Sequence, residues 1–292
     1  EAFRFYGGPI DNDNGPEGQL NAWPMDESYV DYIDGKKTAG IVNNKKQALT
    51  KKALAAMNEK GGEENIATGW HAIEFLLWGQ DLSDYGPGDR PASDYLAGEG
   101  NNDRRRAYLQ AVTQLLVTDL EALTLEWAPD GDGYRAKFLA LPKREALGRI
   151  VNGMAQLAGF ELSSERLAVA LDSGLQEDEH SCFSDNTHID HIHDLRGIRN
   201  VWFGSVGGEQ YPGLIEVAER VDPVQAALVT ARLNAAEAAV AALDRPFDRI
   251  LASPPGSPAR LEAERAVTAL GDLAEALKTM GNEMGLLVIV GG

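Results

Sequence analysis

Cysteine is almost absent from this 292-residue sequence, in which Cys182 is the only one. A single cysteine excludes an intrachain disulfide and leaves the redox compartment of the protein open. Long apolar runs are also lacking, since no stretch reaches the roughly 18 residues that a transmembrane helix needs. The apolar run over residues 286–290 is far too short to span a bilayer, and we expect it to be a helix end packed in a core.

Positive charge is scarce, with 27 Lys and Arg residues against 45 Asp and Glu residues and a formal net charge of −18. This balance argues against nucleic acid as a partner, because we expect no basic patch that could release enough counterions from phosphates. An initiator methionine is lacking as well, because the chain begins at Glu1. We therefore expect a processed product whose targeting signal lies outside the sequence.

Alternation of apolar and polar residues is not sustained anywhere in the chain, so no β-strand is predicted. Helical periodicity is widespread instead, and Asp222-Pro223 and Ser257-Pro258 have the residue types that cap a helix and occupy its first turn. The sequence therefore predicts an all-α fold, preceded by an irregular aromatic-rich segment over residues 1–36. The predicted helices span residues 51–60, 63–78, 102–127, 134–140, 142–174 and 187–203, with two more that begin at 223 and 258.

Two parts of the chain resemble each other. Residues 49–61 align without gaps on residues 162–174 with four identical positions. After twelve additional residues in the second copy, residues 72–73 and 77–79 match residues 197–198 and 202–204. This repeat predicts two helical-bundle halves, residues 1–140 and 141–292, related by internal duplication and with a functional site at their interface. Chance similarity between alanine-rich helices is the alternative interpretation.

One stretch, residues 69–79, has almost no polar side chains. Its apolar residues surround the whole helix, so we expect the helix to be buried. The ionisable residues in it, His71 and Glu74, are three apart and project from one side. Burying an imidazole and a carboxylate costs several kcal/mol unless they are paired or bind a metal. The two groups therefore either satisfy each other or form part of a metal site.

The other four histidines lie within or beside the additional residues of the second copy: His180, His188, His191 and His193. Their segment, residues 177–194, is also rich in carboxylates, and Asp185-x-x-His188 has the spacing of metal ligands on a helix. A solvated polar loop is the alternative interpretation. The helix over residues 69–79 has neither His-Glu-x-x-His nor His-x-x-Glu-His, so it offers at most two ligands, or one ligand and a general base. Asp185 and His188 are the candidates that would complete a metal site.

Arg196 and Arg199 stand in the second copy where His71 and Glu74 stand in the first. If the two copies face each other, these arginines would either neutralise Glu74 or bind an anionic group through their planar guanidinium forks. Without the duplication they are ordinary helix arginines. They are therefore the candidate cofactor-binding residues of a metal-free binding module for an anionic ligand such as a polysaccharide.

Several motifs resemble the imelysin family, also called the M75 peptidase family, which includes iron-regulated bacterial surface proteins. These motifs are Gly69-x-His71-x-x-Glu74 with its continuation to Gly79, Cys182-Phe183-Ser184-Asp185-Asn186-Thr187-His188, Gly197-Ile198-x-Asn200-Val201-Trp202, and Gly15-Pro16-Glu17-Gly18-x-Leu20-Asn21-Ala22-Trp23-Pro24. The resemblance implies an all-helical protein of two bundle-like halves with the His-x-x-Glu site between them. It also implies a location in the periplasm or on the outer surface of a bacterium, often with a lipid anchor, here in a segment outside the sequence.

Three hypotheses follow from the residues and the resemblance. The first is a metal-binding envelope protein in iron uptake or handling, in which a divalent metal, iron or zinc, binds His71, Glu74, Asp185 and His188. The second is an M75-type metallopeptidase with Glu74 and His71 as catalytic residues. The third is the metal-free binding module. The expected partners are the metal ion and a membrane component of iron uptake, and no segment of the chain is expected to span a membrane.

Overall fold

The computed structural model describes residues 15–243 and 245–291, so the first fourteen residues of the predicted aromatic-rich segment lie outside it. Helices make up 62% of the structure and one two-stranded sheet accompanies them in the described part, which confirms the all-α prediction. The described residues form two compact units. The N-terminal unit comprises residues 15–135 with Ser181–Asp185, and the C-terminal unit comprises Ala136–His180 with residues 186–291. The internal duplication stays a prediction.

The N-terminal unit is built from short helices around one long helix. Its core lies where α5 (Gly69–Trp78) packs against α1 (Glu17–Asn21) and α6 (Asn102–Glu126), and it contains the fully buried side chains of Leu54, Phe75, Tyr108 and Val112. A 3₁₀ turn, Ala92–Tyr95, precedes the long helix. The helices are α1 (Glu17–Asn21), α2 (Glu27–Val30), α3 (Gly40–Asn43), α4 (Lys51–Ala55), α5 (Gly69–Trp78) and α6 (Asn102–Glu126), and α7 (Tyr134–Leu139) begins in this unit.

The helix predicted over residues 63–78 begins only at Gly69. The reason is a side chain that competes with helical hydrogen bonding: Asn58 Oδ1 accepts hydrogen bonds from the N–H groups of Ala67 at 2.9 Å and Thr68 at 3.2 Å. Gly69 itself has a φ of +86°, in the left-handed region, where a right-handed helix cannot continue upstream. The residues before Gly69 therefore form an irregular connection.

The burial of α5 also differs from the prediction. Three of its apolar side chains are exposed, with relative accessibilities of 52% for Trp70, 44% for Leu77 and 36% for Trp78. The opposite face is buried and contains both polar side chains, His71 and Glu74. The expectation of a helix buried all round was wrong, because composition alone does not tell which apolar residues meet a neighbour.

The C-terminal unit is a bundle around the long last helix. That helix, α14 (Pro258–Glu283), packs against α8 (Lys143–Gln156), α12 (Pro223–Ala241) and a π-helical segment, Leu157–Ala168. The predicted helix over residues 142–174 is present as α8, this π-helical segment and α9 (Val169–Ser173). The helices that follow α7 are α8 (Lys143–Gln156), α9 (Val169–Ser173), α10 (Thr187–Phe203), α11 (Leu214–Val221), α12 (Pro223–Ala241), α13 (Asp248–Leu251) and α14 (Pro258–Glu283). A 3₁₀ turn, Gln176–Asp178, precedes α10.

The predicted helix caps are confirmed. The Asp222 side chain accepts hydrogen bonds from the N–H groups of Val224 and Gln225 at the start of α12, and Ser257 accepts one from Arg260 at the start of α14. Thr50 caps α4 in the same way, although α4 ends at Ala55 rather than at residue 60. These caps satisfy N–H groups that have no partner within the first turn of a helix.

Two short segments of this unit differ from the prediction. A small hairpin pairs β1 (Ser205–Val206) with β2 (Glu209–Gln210) through Gly207 and Gly208, so the expectation of no strand was wrong at this place. Residues 286–290 are not helical, and Leu286 and Val288 are buried while Leu287 and Ile289 are exposed.

Across the described residues, none of the helices combines the length and the apolar character needed to cross a bilayer.

Candidate functional site

The start of α5 is fixed against α1. Thr68 Oγ1 donates a hydrogen bond of 3.0 Å to the carbonyl oxygen of Gln19, and the α-carbon of Gly69 lies close to the backbone of Leu20. The first two turns of α5 then place His71 and Glu74 on its buried face, with relative accessibilities of 2% and 8%. The backbone of α1 therefore determines where these two side chains lie.

The carboxylate of Glu74 accepts three hydrogen bonds. Its Oε2 is 2.9 Å from Nδ1 of His71. Its Oε1 accepts from the backbone N–H of Ser184 at 2.9 Å and from the Ser184 hydroxyl at 2.6 Å. Both oxygens are therefore engaged, and the two buried polar groups of α5 satisfy each other as one of the sequence interpretations proposed.

This arrangement defines the chemical state of His71. Because the carboxylate can only accept, Nδ1 of His71 carries the proton and Nε2 carries the lone pair. Nε2 is buried, and the imidazole lies beside Trp23, with ring centroids 4.6 Å apart. A carboxylate that orients an imidazole through one nitrogen is the usual outer partner of a metal-binding histidine. His71 therefore presents the donor atom that a metal ion requires.

The segment Ser181–Asp185 supplies the rest of this region. Its backbone is anchored by a 2.9 Å hydrogen bond from Gly88 N–H to the Phe183 carbonyl. The ring centroids of Phe183 and Phe75 are 5.1 Å apart. Asp185 follows Ser184 directly, and its carboxylate comes within 4.8 Å of that of Asp81. Neither Ser184 nor Asp81 was among the predicted site residues. Ser184 lies in one of the family motifs and so had a signal, whereas nothing in the sequence distinguished Asp81.

The remaining predicted site residues lie on α10 of the C-terminal unit. His188 is half-buried and Arg196 is exposed. Arg199 donates from Nη1 to Glu237 Oε2 at 2.8 Å and stacks on Phe203. The guanidinium of Arg199 is thus paired with a carboxylate of its own unit. The proposed metal ligation by His188 and anion binding by Arg196 and Arg199 stay predictions.

The end of α5 is held by a buried charge network. Asp31 is fully buried and accepts from Arg90 Nη1 at 3.0 Å and from Arg105 Nε at 2.5 Å. Arg90 also donates to the carbonyl of Phe75 at 3.3 Å, and the Tyr95 hydroxyl donates to the carbonyl of Leu76. Cationic groups at the C-terminal end of a helix satisfy its last carbonyls and interact favourably with its dipole.

His191 is the most deeply buried histidine of α10. It is 1% exposed, and neither ring nitrogen has a hydrogen-bond partner among the described residues. Burial lowers the pKa of His191 from 6.5 to about 3, with His180 acting in the same direction and Asp190 opposing it. The imidazole is therefore neutral in the folded protein at any pH near neutrality.

The metal-free protein is therefore expected to lose stability in acid. Below pH 6.5 the unfolded chain protonates this imidazole while the folded chain does not, so unfolding is favoured as the pH falls. Between pH 6.5 and 4.5 the loss attributable to His191 is roughly 2 kcal/mol. Urea denaturation in the presence of a chelator should show this loss in wild type and in His193→Ala, an exposed control, and a smaller loss in His191→Leu. Equal losses in all three proteins would contradict the assignment.

Comparison with known proteins agrees with the motifs. The family model described as imelysin, peptidase M75, matches residues 1–277. Iron-regulated protein A of Synechococcus elongatus is 27% identical over 286 residues, which covers 94% of this chain and 68% of that protein. A crystal structure of a candidate iron-regulated protein A precursor from Parabacteroides distasonis matches with a TM-score of 0.69 at 17% identity, covering 94% of this chain and 77% of that one. At this identity the structural match concerns the fold alone.

Proposed function

The chain belongs to the imelysin family, and from that premise we propose that it is a metal-binding protein of the bacterial envelope that acts in iron handling. The observation that carries the proposal is the hydrogen-bonded set of His71, Glu74 and Ser184 on the buried face of α5. The names of the relatives in Synechococcus elongatus and Parabacteroides distasonis refer to regulation by iron, which supports iron as the physiological metal.

The donor atoms fit a divalent transition metal. His71 would hold the ion through Nε2, and Asp185, next to Ser184, would supply a carboxylate. We propose that Glu74 positions the imidazole of His71 rather than binding the ion itself, since both of its oxygens accept hydrogen bonds. A mixed imidazole and carboxylate set accepts iron or zinc. The participation of His188 and a location in the periplasm or on the outer surface, with a lipid anchor, are further parts of the proposal.

The engagement of Glu74 favours metal binding over peptide hydrolysis. A general base must be within reach of a proton on the attacking water, directly or through one further water. Glu74 accepts from His71 on one oxygen and twice from Ser184 on the other, so a catalytic role would require these bonds to break.

A partner also belongs to the metal-binding proposal. A membrane component of iron uptake would receive the metal from this protein.

The first experiment measures metal content. Wild type and variants are purified without chelator, loaded anaerobically with Fe²⁺ and desalted before elemental analysis. His71→Ala is expected to contain one metal equivalent less than the wild type. His193→Ala, which changes an exposed histidine, is the control and should retain the wild-type content. If His71→Ala binds as much metal as His193→Ala, the proposed site is wrong.

The second experiment separates positioning from ligation and from catalysis. Ser184→Ala and Glu74→Gln are expected to weaken Fe²⁺ or Zn²⁺ binding by about 10- to 100-fold, because changes in the outer partners of a ligand typically cost this much. A peptidase assay on unfolded peptides, with Glu74→Gln as the comparison, should show no cleavage that depends on Glu74. Cleavage that disappears in Glu74→Gln would overturn the binding hypothesis in favour of the peptidase.

A further inference from the structure

A second pair of imidazoles lies wholly within the C-terminal unit. His180 Nδ1 is 2.8 Å from Asp190 Oδ2, and Asp190 Oδ1 in turn accepts from the Asn186 side-chain amide at 2.9 Å. The carboxylate therefore assigns the proton of His180 to Nδ1 and leaves the lone pair on Nε2. His180 thus has the oriented tautomer of a metal ligand, supplied by its own carboxylate partner.

His191 lies beside this oriented imidazole. The two ring centroids are 6.5 Å apart and the ring planes are tilted by 31°. The His191 ring also makes an edge-to-face contact with Phe247, with ring centroids 6.3 Å apart, and this contact offers no conventional hydrogen bond. A buried imidazole with two unsatisfied nitrogens loses the hydrogen bonds that water would give it and gains none in return. The position therefore calls for an additional binding partner at one of these nitrogens.

We propose that the C-terminal unit contains a second metal site, in which Nε2 of His180 and a ring nitrogen of His191 bind one borderline divalent cation such as Zn²⁺, Ni²⁺ or Cu²⁺. With metal–nitrogen distances of about 2.0–2.1 Å, one ion bound by both rings would hold their centroids at about the observed 6.5 Å only if the two nitrogens lay on opposite sides of the ion. Binding in a tetrahedral arrangement would therefore draw the two rings closer together through side-chain rotations.

The surroundings of the pair suit a cation. His191 is neutral at physiological pH, and only a neutral imidazole can donate a lone pair to a metal. The nearby guanidinium of Arg166 is paired with the buried carboxylate of Glu161 at 3.3 Å, which reduces its repulsion of an ion. His180 and Asp190 retain side-chain accessibilities of 12% and 22%, so water and an ion can approach from their side. Water would fill the remaining coordination positions.

The expected selectivity follows from the donor atoms. Two imidazole nitrogens favour zinc, nickel and copper, whereas magnesium and calcium prefer oxygen ligands. Copper(II) binds nitrogen sites most tightly among the common divalent ions, which makes it the most sensitive probe. The pair shares no residue with the proposed His71 site, so the two metal sites can be removed independently.

The test uses full-length protein that carries His71→Ala, so that copper bound at the His71 site does not contribute. Titration with Cu²⁺ is expected to fill one site with an electron paramagnetic resonance signal split by two nitrogens. Adding His191→Leu, which keeps the apolar contact with Phe247, or His180→Gln should weaken Cu²⁺ binding at least tenfold and remove the two-nitrogen splitting. Adding His193→Ala, which changes an exposed residue of the same helix, should leave both unchanged.

Two outcomes would overturn the proposal. One is an unchanged copper affinity and spectrum in both His191→Leu and His180→Gln, which would mean that a buried water satisfies His191. The other is an equal loss in His193→Ala, which would indicate binding by exposed histidines. Circular dichroism of each variant verifies folding, and if His191→Leu does not fold, His180→Gln alone decides the result. Failure of this test leaves the His71 site untouched.

Discussion

Replacing Asp31 with asparagine is expected to lower the free energy of unfolding by about 3–5 kcal/mol, which is the usual effect of removing one partner from a buried ion pair. The substitution keeps the shape of the side chain but removes its charge. Arg90 and Arg105, whose side chains are 1% and 4% exposed, would then remain buried with much of their positive charge uncompensated.

The network around Asp31 explains the size of this effect. Burial by itself would lower the pKa of Arg105, but the hydrogen bond and charge of Asp31, with help from Asp94, raise it overall. Asp31 also accepts hydrogen bonds from the Tyr32 N–H at 2.8 Å and from the Asn43 amide at 3.3 Å. One carboxylate therefore compensates two arginines and connects α3 to the segment that precedes it.

Urea denaturation of Asp31→Asn and Asp34→Asn measures this difference directly. Asp34 is the matched control, because its side chain is 78% exposed, forms an ion pair with the exposed Lys37 and accepts a local hydrogen bond from the Gly35 N–H. An exposed pair of this kind contributes roughly 0–1 kcal/mol. A loss in Asp31→Asn no larger than that in Asp34→Asn would contradict the assigned role of the network.

The sequence predicted the helices that carry their own boundary signals. The pairs Asp222-Pro223 and Ser257-Pro258 begin α12 and α14, and the predicted helix over residues 187–203 matches α10. The start of α5 could not be predicted, because it depends on the Asn58 side chain and on α1, which are distant in sequence. Local signals define a helix end only when no tertiary contact competes with them.

In the candidate site too, the sequence predicted the local pair of residues and missed the contacts between distant ones. The three-residue spacing of His71 and Glu74 indicated a buried polar pair, and the structure contains the 2.9 Å contact between them. The role of Ser184 required knowledge that residues 181–185 join the N-terminal unit, which no periodicity reveals. The long network of Asp31, Arg90 and Arg105 was missed for the same reason, since ion pairs between distant residues leave no pattern in the sequence.

The backbone conformation and the close neighbours of residue 69 explain why the Gly69-x-His71-x-x-Glu74 motif begins with glycine. Its φ of +86° lies in the left-handed region, which costs a residue with a β-carbon about 1–2 kcal/mol. A β-carbon there would also lie 2.7 Å from the carbonyl carbon of Leu20 and 2.9 Å from the carbonyl oxygen of Gln19. Real β-carbons do not approach backbone atoms this closely, so α1 or the first turn of α5 would have to move.

Gly69→Ala is therefore expected to lower the free energy of unfolding by roughly 1–3 kcal/mol more than Gly35→Ala, because only Gly69→Ala adds overpacking to the strain of a left-handed backbone. Gly35 is the matched control, because its φ is also positive, at +73°, but a β-carbon there would have no neighbour within 4 Å. Thermal or urea denaturation of the two variants isolates the close approach of α1 from the backbone conformation. Equal losses would mean that α1 does not press against the start of α5, and that the backbone of α1 does not set the position of His71.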